Sequence, residues 1–359
     1  MLETVVSFMK HQQDRMNDPM SLPEIQVVVK RAKEVGFKKG TIDVPFGLGN
    51  TITEAQRWVD VMEAEGMGVV WRMDDPSKHP MYNQPIFVGA NALAPSVYYG
   101  RAESLIKNNP NLFKDGHEWA IYYESTTVWK GDSKEMNFWD QSKSWLNSNT
   151  KENYAKFFID LIDVCKGSFT SINKNVEVGY HSVNGSEYLN KWILQSLVDK
   201  MGYVVTDHYV DGNPIQFEAD LRKMSADYGK PIYLQESSVH RTQTPDTAMI
   251  EGYINALRRL VKDGILKKYC FWGMWPGNSG LLNSDMTLNP TALALKDFFA
   301  SLEAPVPTPT VDLTPVLDAI GVLTSAVDSR IKLAEVKTII WAPGTLTSKV
   351  NKLKALLPL

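Results

Sequence analysis

The chain has 359 residues, 43% of them hydrophobic and 22% charged, with a formal net charge of -3. That balance suits one large globular core plus an appendage, and it gives no electrostatic reason to expect nucleic acid or an anionic membrane as partner. Two cysteines, Cys165 and Cys270, exclude a Cys-based metal cluster and are expected as buried free thiols.

The elements alternate along the chain. Thr4 to Met9 is β-branched and apolar and reads as a first strand. Ser21 and Glu24 then form a capping box with Pro23 inside the first turn. Ile25, Val28, Val29 and Ala32 mark one helical face, and Gly36 ends the helix. Thr41 to Phe46 reads as a second strand. A second capping box is expected at Thr53 and Gln56, with Ala55, Val59 and Met62 on the apolar face and Gly66 closing the helix. Met67 to Met73 is the third strand, and Asp74 and Asp75 follow it. A helix near Ser96–Lys107 leads to the fourth strand, Trp119 to Tyr123, with Glu124 at its end.

An insertion from Ser125 to Thr150 carries Trp129, Phe138, Trp139 and Trp145. The next helix shows Tyr154, Phe157, Phe158, Leu161, Ile162 and Cys165 at helical spacing. Val176 to Tyr180 is the fifth strand, followed by His181. A helix around Tyr188–Lys200 precedes the sixth strand, Tyr203 to Thr206, which runs into Asp207-His208-Tyr209. A helix from Phe217 to Tyr228 follows. The seventh strand, Pro231 to Leu234, leads to Glu236. A helix from Ala248 to Lys262 precedes the eighth strand, Tyr269 to Trp272, and Pro290 to Leu302 closes the series.

Eight strands, each followed by a helix, imply βαβ units and a parallel sheet closed into a (β/α)8 TIM barrel over residues 1–304. No Gly-x-Gly-x-x-Gly or phosphate-loop pattern supports the competing open nucleotide-binding sheet. Pro305 to Thr310 opens a Pro/Thr linker, 305–312. In the tail, 313–359, Leu313, Leu317, Ile320, Val327 and Ile331 fit either a short coiled-coil seam or a helix packed on the barrel. The seam would make a homo-oligomer or an anchor, and Leu346 to Leu357 reads as a further amphipathic helix.

In a parallel barrel, side chains at the C-terminal ends of the strands line the active site. Two carboxylates stand there: Glu124 after strand four and Glu236 after strand seven. Glycoside hydrolysis needs one carboxylic acid to protonate the leaving oxygen and a second carboxylate on the other face of the sugar. At a separation of about 5–5.5 Å the second attacks directly and the configuration is retained. His208 and Tyr209 after strand six and Trp272 after strand eight accompany the pair. Arg72, at the end of strand three, could supply positive charge or pair with Asp74 or Asp75. His181 could line the cleft or be satisfied by loop backbone. Trp129, Trp139 and Trp145 could form outer sugar subsites or pack the insertion. Trp275, Asn278, Asn283 and Asp285, in the loop after strand eight, could touch substrate or serve the turn. His208 has no second histidine at ligand spacing, so no metal is expected, and no other cofactor is expected.

This arrangement resembles clan A of the retaining glycoside hydrolases, and within it the cellulase/mannanase-like family five. The resemblance implies Glu124 as acid/base and Glu236 as nucleophile. It further implies His208 and Tyr209 as supporting polar groups and Trp272 as the stacking floor under the reacting sugar. Two departures stand out: Tyr123 occupies the place of the family's usual Asn before the acid/base, and the usual strand-two Arg is missing, with Asp43 in that strand. The implied activity is cleavage of a β-linked poly- or oligosaccharide, and the aromatic insertions favour an open cleft and internal cutting. The alternative is a non-catalytic carbohydrate-binding barrel serving as an adhesin or virion component. Met1-Leu-Glu-Thr-Val-Val lacks the pattern of a secretory leader, and no run of about 18 apolar residues suggests a membrane span. A cytoplasmic, virion-associated or trimmed secreted location are all compatible with that.

Overall fold

A computed structural model of the chain describes residues 2–14, 18–43, 52–73, 95–123, 127–129, 135–137, 150–182, 195–240, 243–277, 279–303, 339 and 345–355. The chain divides into two compact units, Met1–Glu303 and Ala304–Leu359. The first contains eight parallel strands: β1 (Glu3–Ser7), β2 (Lys39–Asp43), β3 (Gly68–Met73), β4 (Glu118–Tyr123), β5 (Glu177–Ser182), β6 (Val204–Asp207), β7 (Ile232–Ser237) and β8 (Leu266–Phe271). Their hydrogen-bonded order is 5-4-3-2-1-8-7-6. The ring is a nearly closed (β/α)8 barrel, as the alternation of elements implies.

Between β5 and β6 the described residues make no ladder. The Tyr203 hydroxyl meets the backbone of Tyr180 there. Its ring stacks on Tyr233 of β7 at 3.8 Å and 6°. Gly179 makes room for it, since a Cβ at that position would lie 2.5 Å from the hydroxyl oxygen.

A helix follows each strand. After β1 come α1 (Met9–Asp14) and α2 (Leu22–Val35). The remaining helices of the unit are α3 (Ile52–Ala64), α4 (Pro95–Asn108), α5 (Thr150–Ser171), α6 (Gln195–Met201), α7 (Pro214–Tyr228), α8 (Thr247–Lys262) and α9 (Pro290–Glu303). The start of α2 is the expected box, with the Ser21 N–H donating to Glu24 Oε2 at 2.6 Å. Its end is Gly36 in the left-handed region at φ 106°. Asn213 and Asp246 cap α7 and α8, accepting from the Gln216 and Met249 N–H groups at 3.0 and 2.8 Å.

The outward faces of the strands and the inward faces of the helices share one core. Trp58, Trp71 and Trp119 are wholly buried in it, and Trp71, Trp119, Phe113 and Phe169 pack edge to face. Both cysteines are buried and free.

Several boundaries differ from the sequence reading. The first strand stops at Ser7, and a short helix replaces the expected polar loop because Phe8 and Met9 turn into the core. The box expected at Thr53 and Gln56 does not form. Helix α3 has already begun at Ile52, and the Gln56 amide instead donates to Asp60 at 2.7 Å. A small antiparallel hairpin, Thr127–Trp129 with Glu135–Asn137, lies within the aromatic insertion. Strand β8 starts at Leu266, three residues earlier than expected, and so takes Lys268 into the barrel.

The barrel interior has three levels. At the N-terminal end of the strands Lys39 pairs with Glu3 at 3.1 Å and with Glu118, and Lys268 pairs with Glu3 at 2.8 Å and with Glu118. Desolvation alone would raise the Glu3 carboxyl, but Lys268 and then Lys39 outweigh it and hold it below the usual range. Burial likewise opposes the charge on Lys268, and the Glu118 and Glu3 carboxylates overcome it, so its ammonium is held above the ordinary lysine value. Above this ionic floor Val5, Val70, Ala120 and Cys270 form a small apolar cluster of their own. The third level, at the C-terminal mouth, is polar.

In the second unit α10 (Leu346–Lys354) opens at Thr345, whose hydroxyl accepts from the Ser348 N–H at 3.3 Å. The 305–312 linker and the heptad-like stretch 313–331 lie outside the described residues.

Candidate active site

Side chains alternate along a strand, so Val70 in the apolar level places Arg72 in the mouth level of β3. Asp43 on β2 is its register partner. Both are buried, Arg72 at 1% exposure and Asp43 at 3%. Strand β7 continues past Leu234 through Glu236 to Ser237, so Glu236 is the strand's second-to-last residue. The polar run Gln235 to Ser238 is buried throughout.

Glu236 is the centre of the mouth. Arg72 Nη1 donates to its Oε1 and the Tyr209 hydroxyl donates to its Oε2 at 2.7 Å. Strands β3 and β7 are not neighbours in the ring, so the Arg72 contact crosses the interior. The guanidinium balances the carboxylate's charge, and the two donors fix its orientation. Burial first, then the Glu236 and Asp207 carboxylates, hold the Tyr209 hydroxyl well above its ordinary value, so it stays a donor. Cys270 lies just beneath. Burial pushes its thiol up to about 12, with Arg72 and Glu236 acting in opposite directions on it. A thiol so held is no nucleophile near neutral pH.

His208 and Tyr209 part company. Tyr209 turns inward to Glu236, while His208 turns outward, its Nε2 2.9 Å from Asp220 Oδ2 on α7 and its ring against Phe217. Of the two residues expected as supporting polar groups, Tyr209 reaches Glu236 and His208 reaches Asp220. Adjacent residues in extended chain point to opposite sides, so the two cannot share a face.

Trp272 follows β8 directly. Its N–H donates to the Ser237 carbonyl at 2.8 Å, and its half-buried ring meets that of Trp275 edge-on at 5.6 Å. Trp275 is nearly buried and lies near His11 of α1. Asn283 and Asp285 serve their own turn: the Asn283 amide donates to Thr287 and Leu288, and Asp285 accepts from Thr287.

Glu124, Asp74, Asp75, Phe138, Trp139, Trp145 and Asn278 lie outside the described residues, as do the side chains of Tyr123, Trp129 and His181.

Three features of the mouth were not assigned from sequence. Asp43 and Asp207 enter it by strand alternation. Gln12 of α1 accepts from the Asp43 N–H at 2.9 Å and ties α1 over the end of β2. Behind β7, the Ser237 hydroxyl bonds Tyr253, which bonds Tyr269, both at 2.8 Å, anchoring the strand to α8 and β8. Continuing the period-2 pattern through Asp43 and Asp207 would have found the first feature; the other two are tertiary and left no local signal.

Among the described residues no cluster of His, Cys, Asp and Glu could hold a metal ion, and no helix is long and apolar enough to cross a membrane. What the described site offers is a fixed, charge-balanced carboxylate at the end of a strand, with indole rings on an adjoining loop. That is equipment for nucleophilic or base chemistry beside a polar, ring-shaped ligand.

No family model and no curated protein matches the sequence. Solved structures do. A GH5_18 protein from Streptomyces cattleya in complex with GlcNAc aligns with a TM-score of 0.57 at 13% identity, over 85% of this chain and 82% of that one. A beta-glucosidase aligns at 0.55 and 13%, over 80% and 89%. The exo-beta-1,4-mannosidase Op5Man5 from Opitutaceae bacterium strain TAV5 aligns at 0.55 and 10%, over 84% and 60%. At these identities the likeness is one of fold: the barrel of this chain is built as those of glycosidases, GH5 proteins among them, are built.

Proposed function

We propose that the chain is a retaining glycoside hydrolase that cuts β-linked poly- or oligosaccharide internally, with Glu236 as nucleophile and Glu124 as acid/base. The observation that carries the reading is the Glu236 carboxylate at the C-terminal end of β7, held between the Arg72 guanidinium and the Tyr209 hydroxyl. In this mechanism Glu236 attacks the anomeric carbon while Glu124 gives its proton to the departing oxygen. Glu124 then takes a proton from water, which releases the sugar from Glu236. Arg72 offsets the charge of Glu236 across the barrel, and Tyr209 aims its carboxylate. Trp272, Trp275 and His181 are assigned to the sugar side of the cleft, Trp272 as a stacking surface. His208 is assigned to support of the β6 segment rather than to contact with substrate. Glycosidase neighbours with the same barrel support the reading, as does the sequence position of Glu124 at the end of strand four.

The test is a panel of β-glucans, mannans, xylans, galactans and chitin-like polymers, read as new reducing ends, with Glu236→Gln alongside. Wild type is expected to release product from one polymer class and Glu236→Gln from none. Activity of Glu236→Gln equal to wild type removes Glu236 from the mechanism. Binding of one glycan without hydrolysis moves the assignment to a non-catalytic carbohydrate-binding barrel.

A further inference from the structure

We propose that Asp220, acting through His208, is a positioning residue for Tyr209 and so for the Glu236 carboxylate. The inference rests on the reading of Glu236 as nucleophile.

The argument begins with the ring. Among the described residues β6 is laddered to β7 and has no ladder to β5. The pairing of β6 with β7 is itself irregular at Thr206 and Asp207. Past that point two backbone bonds hold the chain to β7, His208 N–H to the Glu236 carbonyl at 2.9 Å and Val210 N–H to the Ser238 carbonyl at 3.2 Å. Both pull toward β7. Neither fixes the rotation of the 208–210 segment about its own axis, and that rotation decides where the Tyr209 hydroxyl arrives.

Side chains fix the rotation from the other face. The His208 ring lies 5.3 Å from the Phe217 ring, and its Nε2 donates to Asp220 Oδ2 at 2.9 Å. Asp220 is held in turn, its Oδ1 accepting from the Gln216 amide at 2.7 Å one turn earlier on α7. That helix is anchored by its Asn213 cap and by buried Phe217, Leu221 and Met224. His208 and Tyr209 are consecutive and point oppositely, so a fixed His208 sets the direction of Tyr209. A shift of about 1 Å in a catalytic contact can cost roughly 100-fold in rate, so such a lever has a large effect.

Two replacements that keep side-chain shape break the lever: Asp220→Leu removes the acceptor while keeping the branching, and His208→Phe removes the donor while keeping a ring on Phe217. Asp220→Asn keeps an acceptor. On the glycan identified by the panel, the first two are expected to lower kcat about tenfold, the size of one lost charge-assisted hydrogen bond, with KM nearly constant. Asp220→Asn should recover most of kcat. A second reading needs no substrate: the Tyr209 Cζ resonance in protein carrying 13C at tyrosine Cζ, assigned with Tyr209→Phe. It should move in Asp220→Leu and His208→Phe toward the position of a tyrosine bonded to water, and stay near its original place in Asp220→Asn. A fall in Tm with kcat and the Tyr209 resonance both at wild-type values overturns the proposal and leaves the pair a plain helix anchor. Should Asp220→Leu not fold, His208→Phe decides by the same two readings. A wild type inactive on every glycan defeats the nucleophile reading, and the resonance still decides whether Asp220 orients Tyr209.

Discussion

Lys268→Met tests the ionic floor of the barrel. Glu3 and Glu118 face Lys39 and Lys268, two charges of each sign, and every N–O pair among them is in contact. Lys268 is 4% exposed and the Glu118 side chain 8%, so water cannot replace a lost partner. Methionine nearly fills the lysine volume, which keeps the cavity contribution small. What remains is electrostatic: two carboxylates and one ammonium, a net charge of -1 in a layer that water reaches only through Glu3, 34% exposed, and Lys39, 22%. Removing one partner of a buried pair costs about 3–5 kcal/mol; Lys39 still touches both acids, so about 3 kcal/mol is expected here. Adding Glu118→Gln restores neutrality and should recover at least half of that loss, because the cost lies in the uncompensated charge rather than in the missing contacts. The assay is urea unfolding of the single and double variants followed by tryptophan fluorescence, with a check that the m-value is conserved. A single variant within about 1 kcal/mol of wild type, or a double variant no more stable than the single, refutes the reasoning.

Two further outcomes follow from buried contacts. His117 accepts at Nδ1 from Trp71 Nε1 at 3.1 Å, and its Nε2 lies 3.2 Å from Glu63. Burial lowers its pKa below the ordinary 6.5 and Glu63 offsets this in part, so the fold favours neutral imidazole. Its contribution to stability is therefore complete above about pH 6.5 and is lost as the pH falls through the lower folded value. Urea midpoints at pH 7.5 and 5 should differ more for wild type than for His117→Gln, and equal differences would exclude this role. Gly40→Ala should destabilise by about 1–3 kcal/mol through overpacking, because a Cβ there would fall 2.3 Å from the Phe8 ring. A Tm equal to wild type would show that Phe8 can move aside.

The barrel was legible because its strands are apolar runs whose outward faces meet helices, so local pattern and tertiary need coincide. The reading weakened wherever a polar residue had a tertiary partner. Lys268 precedes the apolar run that begins at Tyr269, and only closure of the ring brings it to Glu3 and Glu118. The apolar pattern of the seventh strand ends at Leu234, because Gln235 to Ser238 is a polar run. It is buried all the same, since Glu236 finds Arg72 on one side and Ser237 finds Tyr253 on the other. Arg72 could be placed by alternation, but its choice of Glu236 depends on the width of the barrel, which no local spacing encodes. The opposite directions of His208 and Tyr209, by contrast, follow from adjacency in an extended segment and were open to inference from sequence.

The seam between β5 and β6 carries a topological consequence. Along the sheet the strands run 5-4-3-2-1-8-7-6, so a chain that began at β6 and ended at β5 would lay its strands down in strictly neighbouring order. The natural ends of the unit already approach one another: Lys38 pairs with Glu303 at the end of α9 and its N–H bonds the Thr4 carbonyl of β1. A circular permutant of residues 1–303, joined across those ends and opened between Ser182 and Gln195, would keep every ladder of the barrel. Its new termini would fall where, among the described residues, the ring is held by a tyrosine in place of a backbone ladder.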